Sequence, residues 1–217
     1  NPIIISGGGV FYSDAMEELS KFAIKHNIPV TQTVMGYSTM KRDHSHYAGQ
    51  IGGLGGKNTN LLAKQTDLAI AVGTKLADFT TGSWANFENE SFKLVSINVS
   101  RFDANKHLAL AVVGDAKVSL DELSLALGDW KAGEEWNKKS QVELKSWNEY
   151  VDKESAPSNQ EVPSYVQVIG AVYKNSDPSD IAVTAAGGLV GEVIQVWRPR
   201  ELNTHETEWG FSCMSYE

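Results

Sequence analysis

One feature restricts the fold more than any other. Short β-branched or apolar runs, closed by glycine or polar turn residues, take turns with segments whose apolar residues recur at helical spacing. Residues 3–6 form the first such run, and Gly7, Gly8 and Gly9 end it. A helix is expected from about Ser13, a good N-capping residue, through Met16, Leu19, Phe22 and Ala23. Residues 29–33 read as the next strand, 59–64 as a helix, and 68–72 as a buried strand. Residues 94–99 and 111–113 read as further strands, and 118–127 as an amphipathic helix with Val118, Leu120, Leu123 and Leu127 inward. Strands that alternate with helices are buried on both faces. The expected class is α/β, a Rossmann-like, mostly parallel sheet with helices on both sides.

The character changes after Gly128. Residues 134–151 read as a polar helix that touches its surroundings through Trp136, Leu144 and Trp147. Residues 152–163, with Ser, Asn, Glu and two prolines, read as a linker. A helix over 165–173 and a strand over 181–184 then open a second unit, and Gly187 and Gly188 follow that strand. The expected division is a central domain over 1–130, a helix and linker over 131–163, and an incomplete second α/β domain over 164–217. The chain opens on a strand at Asn1 and closes just after EWGFSCMSYE, which reads as a piece of a longer polypeptide. A half-domain exposes sheet edges, so disorder, swapping or dimerisation is expected beyond about Pro163.

Composition excludes several classes. At 41% hydrophobic and 21% charged residues the chain can bury a core, and its net charge of -8 argues against nucleic acid and anionic membranes as partners. No apolar run approaches the roughly 20 residues that cross a bilayer. The one cysteine, Cys213, allows no internal disulfide, fits a reducing compartment such as the cytoplasm, and reads as a small packed thiol.

Each motif has two readings. Gly7–Gly9 at a strand end before a helix could approach a phosphate, or could simply make a tight turn. Gly52, Gly53, Gly55 and Gly56 repeat that choice. Two such loops on one open parallel sheet are more suggestive together, because ligands bind there. Lys75 and Asp78, past Gly73, read as ligand contacts or as a surface ion pair. His44 and His46 with Asp43 lack a third ligand at metal spacing and read as a solvated loop. His26 and His107 read as helix caps or surface residues. No P-loop, GxSxG elbow or HExxH is present.

The order of the pieces carries a resemblance. The GGG-ended strand, IPVTQTVMG, DLAIAVGTKLADFTTGSW, LVSINVSRFDANKH and VVGDAK follow one another. Over about the first 130 residues this resembles the central domain of thiamine-diphosphate-dependent enzymes of the acetohydroxyacid synthase type. DIAVTAAGG and EWGFSCMSYE look like the start of the diphosphate-binding domain. DFTTGSW, NVSRFDANKH and WGFSCMSYE carry a narrower likeness to the trihydroxycyclohexane-dione hydrolases of inositol breakdown. The resemblance implies thiamine diphosphate and Mg2+ in the full-length protein, a small cyclic diketone as substrate, hydrolytic C–C cleavage to a deoxy-sugar acid, and a homodimer or homotetramer. It places cofactor contacts at Gly187, Gly188, Leu189, Gly210, Phe211 and Met214, with glycine expected where Ser215 stands. The activating glutamate and the metal motif fall outside this chain, which implies that it has no catalytic residue and no turnover alone. A nucleotide site of the central domain would fall at Gly8, Gly9, Thr33, Val34, Gly73, Thr74, Asp78 and Asp115. Lys75 stands where flavin-binding relatives often carry Arg, so that site reads as vestigial, without FAD or ADP. Two alternatives stay open. One is a carboligase or decarboxylase on the same scaffold; the other is a nucleotide-binding or structural module.

Overall fold

The structure is a computed structural model that describes residues 1–208 and 213–216. Six parallel strands form the main sheet: β1 (Pro2–Ser6), β2 (Val30–Gln32), β3 (Tyr47–Gln50), β4 (Leu68–Val72), β5 (Lys93–Asn98) and β6 (Leu110–Val113). Their order is β3-β2-β1-β4-β5-β6, and every neighbouring pair is parallel. The chain winds outward from β1 in one direction, returns to β4, and winds outward in the other. The crevice between the carboxyl ends of β1 and β4 is therefore the switch point of the sheet.

The period of two along β1 divides the core. Ile4 faces α2 (Met16–His26) and α6 (Ala116–Leu127), packing with Leu19, Phe22 and Leu120. Ile3 and Ile5 face the other way, towards Leu62 and Ala63 of α3 (Lys57–Gln65) and towards Trp136. All three isoleucines are fully buried. Short helices α1 (Gly8–Tyr12), α4 (Asp78–Thr81) and α5 (Arg101–Ala104) leave the strand ends of β1, β4 and β5.

The long helix α7 (Glu134–Glu154) runs past the sheet and into the second unit. Near its start the Trp136 indole N–H donates to the Pro2 carbonyl at 2.7 Å, and Leu144 is buried in the main core. Near its end Val151 packs with Ile169, Tyr173, Val193, Val196 and Trp197 in a second, smaller core. That core belongs to α8 (Tyr165–Asn175) and α9 (Gly188–Val196), beside a parallel pair of strands, β7 (Ala182–Thr184) and β8 (His205–Thr207). The Ser164 hydroxyl accepts from Gln167 N–H, and the Gln167 side-chain oxygen accepts from Ser164 N–H, a reciprocal cap that starts α8. The elements from α8 to β8 are thus folded beside the end of α7 rather than loose, though Ile181, Val183, Val168 and Val172 stay exposed.

Three expectations need correction. His26 is neither a surface residue nor a cap. It is fully buried, with Nδ1 2.7 Å from the Trp130 carbonyl and Nε2 3.1 Å from Ser124 Oγ, because the chain between α6 and α7 crosses the end of α2 there. His44 and His46 are not a solvated loop. His46 is buried 3.1 Å from Asn27 Oδ1 and His44 lies 2.9 Å from Ser20 Oγ, so both tie the loop to α2. Burial lowers the pKa of each. Cys213, expected to be packed, is exposed, because nothing among the described residues covers the turn at 213–216.

Candidate functional site

Three glycine loops meet at the carboxyl ends of the strands. Gly7 N–H donates to Val72 O and Gly9 N–H to Gly73 O, each at 2.9 Å, which binds the β1 loop to the β4 loop. The approach is too close for side chains. A Cβ on Gly7 would lie 2.4 Å from Gly73 O, and one on Gly73, at φ +61, would lie 2.5 Å from Gly9 Cα. Gly53 N–H donates to Phe79 O at 2.7 Å and brings in the loop after β3. Glycine here makes backbone crossings possible.

Beside these crossings lies a cleft of about 460 Å³. Gly8, Gly9, Thr33, Val34, Gly73 and Thr74 line it, together with Lys75, Met35, Tyr12 and Phe79. The structure thus gathers six of the eight residues expected for a nucleotide site. Two others lie elsewhere. Asp78 is exposed at the first position of α4, and Asp115 caps α6 by accepting from Lys117 and Val118 N–H. A hydrogen bond from Ser13, followed by that from Val118 N–H, holds the Asp115 carboxyl below the usual range. Lys75 and Asp78 form no ion pair with each other among the described residues. Two of the cleft hydroxyls already accept hydrogen bonds: Thr33 Oγ1 from Gly36 N–H at 3.1 Å and Thr74 Oγ1 from Leu76 N–H at 3.3 Å.

Sequence reasoning missed what supports Thr33 and Val34 from below. Ser6 and Thr39 hydroxyls lie 2.8 Å apart; Gln32 Nε2 donates to Thr39 Oγ1 and Met40 O; Gln50 Nε2 donates to Gln32 Oε1 at 3.0 Å. All four are buried, so this polar chain fixes the loop after β2 to three strands at once. Gln32 was a hint, a polar residue within an expected strand, but Gln50 gave none, because β3 was not expected there.

The second unit places another glycine turn at the end of β7. Gly187 has φ +110 and precedes α9, and a Cβ on Gly187 or Gly188 would meet nothing within 4 Å. A positive-φ glycine opening a nine-residue helix beside free space suits an anionic group. Leu189 and Met214 are exposed. Ser215 has φ +67, the left-handed conformation that suits glycine better, where the family pattern expects glycine. Gly210 and Phe211 lie outside the described residues. No group of three or more His, Cys, Asp or Glu that could hold a metal occurs among the described residues. No helix among them is long and apolar enough to cross a membrane.

Where the units meet, α9 packs Val190 and Ile194 on Val34, and the Tyr37 hydroxyl donates to Ile194 O at 3.1 Å. His205 of β8 stands edge-on to Tyr37, with ring centroids 4.6 Å apart. Both its ring nitrogens are buried without a partner among the described residues, and burial pushes its pKa down to about 4.

The family model described as "Thiamine pyrophosphate enzyme, central domain" matches residues 1–123. The chain is 37% identical over 243 residues to the 3D-(3,5/4)-trihydroxycyclohexane-1,2-dione hydrolase of Clostridium tetani (strain Massachusetts / E88). It is 35% identical over 237 residues to that of Geobacillus thermodenitrificans (strain NG80-2), and 36% over 245 residues to that of Bacillus thuringiensis (strain Al Hakam). Each match covers 100% of this chain and 37% of the relative's length. The family model covers more than half of the chain, over the doubly wound sheet, and the relatives match along all of it; the chain belongs to the thiamine pyrophosphate enzyme family.

Proposed function

We propose that this chain works within a protein of its relatives' length, which opens the ring of trihydroxycyclohexane-1,2-dione by hydrolytic C–C cleavage in inositol breakdown. The observation that carries the reading is the extent of the likeness. The matches, 35–37% identical overall, cover the whole chain and so extend beyond the central domain. Bound thiamine diphosphate supplies the carbon nucleophile and electron sink for the cleavage. Gly187 and Gly188 would receive its diphosphate at the N-terminus of α9, where the structure leaves room. Leu189 and Met214 would give apolar contact to its rings, with Gly210 and Phe211 in the same turn as Met214. On this reading the catalytic acid or base would come from outside this chain, whose part would be binding and orientation. Mg2+ would be held by residues outside this chain, in a cytoplasmic homodimer or homotetramer.

The cleft beside Gly8 and Gly73 serves, on this reading, as scaffold and carries no FAD or ADP. Among the described residues its only charged lining side chain is Lys75, and Asp115 is occupied as a cap. Titration with FAD and ADP tests this, and micromolar binding would overturn it.

The decisive assay uses the full-length protein with thiamine diphosphate, magnesium and the cyclic dione, with the product identified by NMR. Cofactor-dependent opening to a linear deoxy-sugar acid supports the proposal. Turnover of pyruvate or another 2-oxo acid, with the dione untouched, would keep the family and discard the substrate.

A further inference from the structure

The buried polar chain beneath Thr33 and Val34 ends on an atom that has nothing to bond. Its direction is fixed at the other end. A carbonyl only accepts, so Gln32 presents Nε2 to Met40 O and its Oε1 to Gln50. Gln50 in turn presents Nε2 to Gln32, and its Oε1 is turned away from the chain. That oxygen is buried without a hydrogen-bond partner among the described residues, in a residue only 4% exposed.

A second such atom lies across the junction of the two units. Arg198 stands just past α9. Its terminal nitrogens are occupied: Nη2 donates to Asp152 Oδ1 of α7, and Nη1 to Asn148 Oδ1 at 3.4 Å. Its Nε–H is buried without a partner among the described residues. Gln50 and Arg198 both line a cavity of about 20 Å³, along with Tyr37, Tyr47, Leu144 and Ile194. One water needs roughly 10–15 Å³, so there is room for one. We propose that a single ordered water lies there, donating to Gln50 Oε1 and accepting from Arg198 Nε–H, and so ties the end of β3 to the end of α9.

The two atoms choose the occupant. A cation would suit the amide oxygen but would face the Arg198 guanidinium. An anion would suit the guanidinium but would face the amide oxygen. Water donates to one and accepts from the other at once. Tyr47, whose hydroxyl is hydrogen-bonded to the Gln50 side chain, lines the same cavity and gives the water a third contact, the usual number for a buried one. Both orphaned atoms are closed to the outside, so no side chain from another segment or another copy reaches them without displacing what encloses them. With the water in place, hydrogen bonds run unbroken from Ser6 at the end of β1, through Thr39, Gln32 and Gln50, to Arg198 and on to Asp152 of α7. The junction is then a polar contact as well as the apolar one of Val190 and Ile194 on Val34.

The test is a crystal structure of the full-length protein at a resolution that shows ordered water, from crystals with and without a bromide soak. The expected result is one peak within about 2.7–3.2 Å of both Gln50 Oε1 and Arg198 Nε, with no anomalous signal from bromide. The absence of a peak, a peak touching only one of the two atoms, or a direct hydrogen bond between Gln50 and Arg198 would overturn the proposal. Bromide signal at the peak would overturn it too, by making the occupant an anion.

Discussion

Replacing Gly73 by alanine separates two costs that usually come together. The first is dihedral: φ is +61, where an L-residue loses about 1–2 kcal/mol relative to glycine. The second is steric: the new Cβ would lie 2.5 Å from Gly9 Cα and 2.8 Å from Gly9 C. Those are backbone atoms, fixed by the Gly9–Gly73 hydrogen bond, so the crossing must open, at about 1–3 kcal/mol for an overpacked core site. Against this stands a gain of up to ~1 kcal/mol from a stiffer unfolded chain. The net loss is about 2–4 kcal/mol. Gly82 supplies the control. Its φ is +60, but its nearest neighbour would be the movable Asn86 amide at 3.3 Å, so Gly82→Ala should lose only about 1 kcal/mol. Urea unfolding followed by the fluorescence of the six tryptophans reads both. At an m-value of about 2–3 kcal/mol/M, Gly73→Ala should shift the midpoint down by roughly 1 M and Gly82→Ala by less than half of that. Equal shifts would refute the argument that backbone contact is why glycine stands at 73.

Acid should weaken the junction through His205. Its folded pKa, about 4, lies below the ordinary 6.5, so the unfolded chain takes up the proton first. Stability is then full above pH 6.5, falls between 6.5 and 4, and levels below; the loss is about 3 kcal/mol, and a His205→Phe variant should show a flatter pH profile across that window. Parallel profiles would remove His205 as the cause. Ser164→Ala removes half of the reciprocal cap on α8 and should lower stability by ~1 kcal/mol, with hydrogen exchange rising first in residues 165–168. Trp136→Phe leaves the Pro2 carbonyl without its indole donor and should cost about 1–3 kcal/mol in the same urea assay, whereas a change below about 0.5 kcal/mol would mean water replaces the indole.

How much of this could be read from residues depends on where each element gets its energy. β1 and β4 were legible because both faces are buried, which writes them almost wholly in apolar residues; β5 was legible through Leu94, Val95 and Ile97 despite the buried Ser96 and Asn98. β3 was not. Tyr47-Ala-Gly-Gln carries no β-branched residue and is a strand because α3 and α7 hold its carbonyls. β8, His-Glu-Thr, is polar for a similar reason, its register being set by β7. α9 was hidden by its glycines at 188 and 191, which lower helix propensity. Gly191 leaves only 3.1 Å between a would-be Cβ and Leu54, so packing outweighs propensity there. The cleft was legible as far as backbone made it, at Gly8, Gly9, Gly73 and their neighbours. Asp115 was misplaced because a carboxylate after a strand can cap a helix or reach a ligand, and only coordinates show that Lys117 and Val118 amides claim it.

The 21-residue α7 has a consequence for how the two units are held. It is a rod of roughly 30 Å whose early side chains grip the sheet and whose late ones grip α8 and α9. The angle between the units is therefore written in part as a helical phase, in the spacing from Leu144 to Val151, which must agree with the contacts of α9 and β8 on Val34 and Tyr37. One residue added within that spacing would swing the Gly187 turn by about 100° around the rod, while several added at 155–163 would leave it in place. The loop can be lengthened with little effect on the junction, whereas even a whole turn added to the rod, about 5.4 Å, would draw α9 and β8 off Val34 and Tyr37.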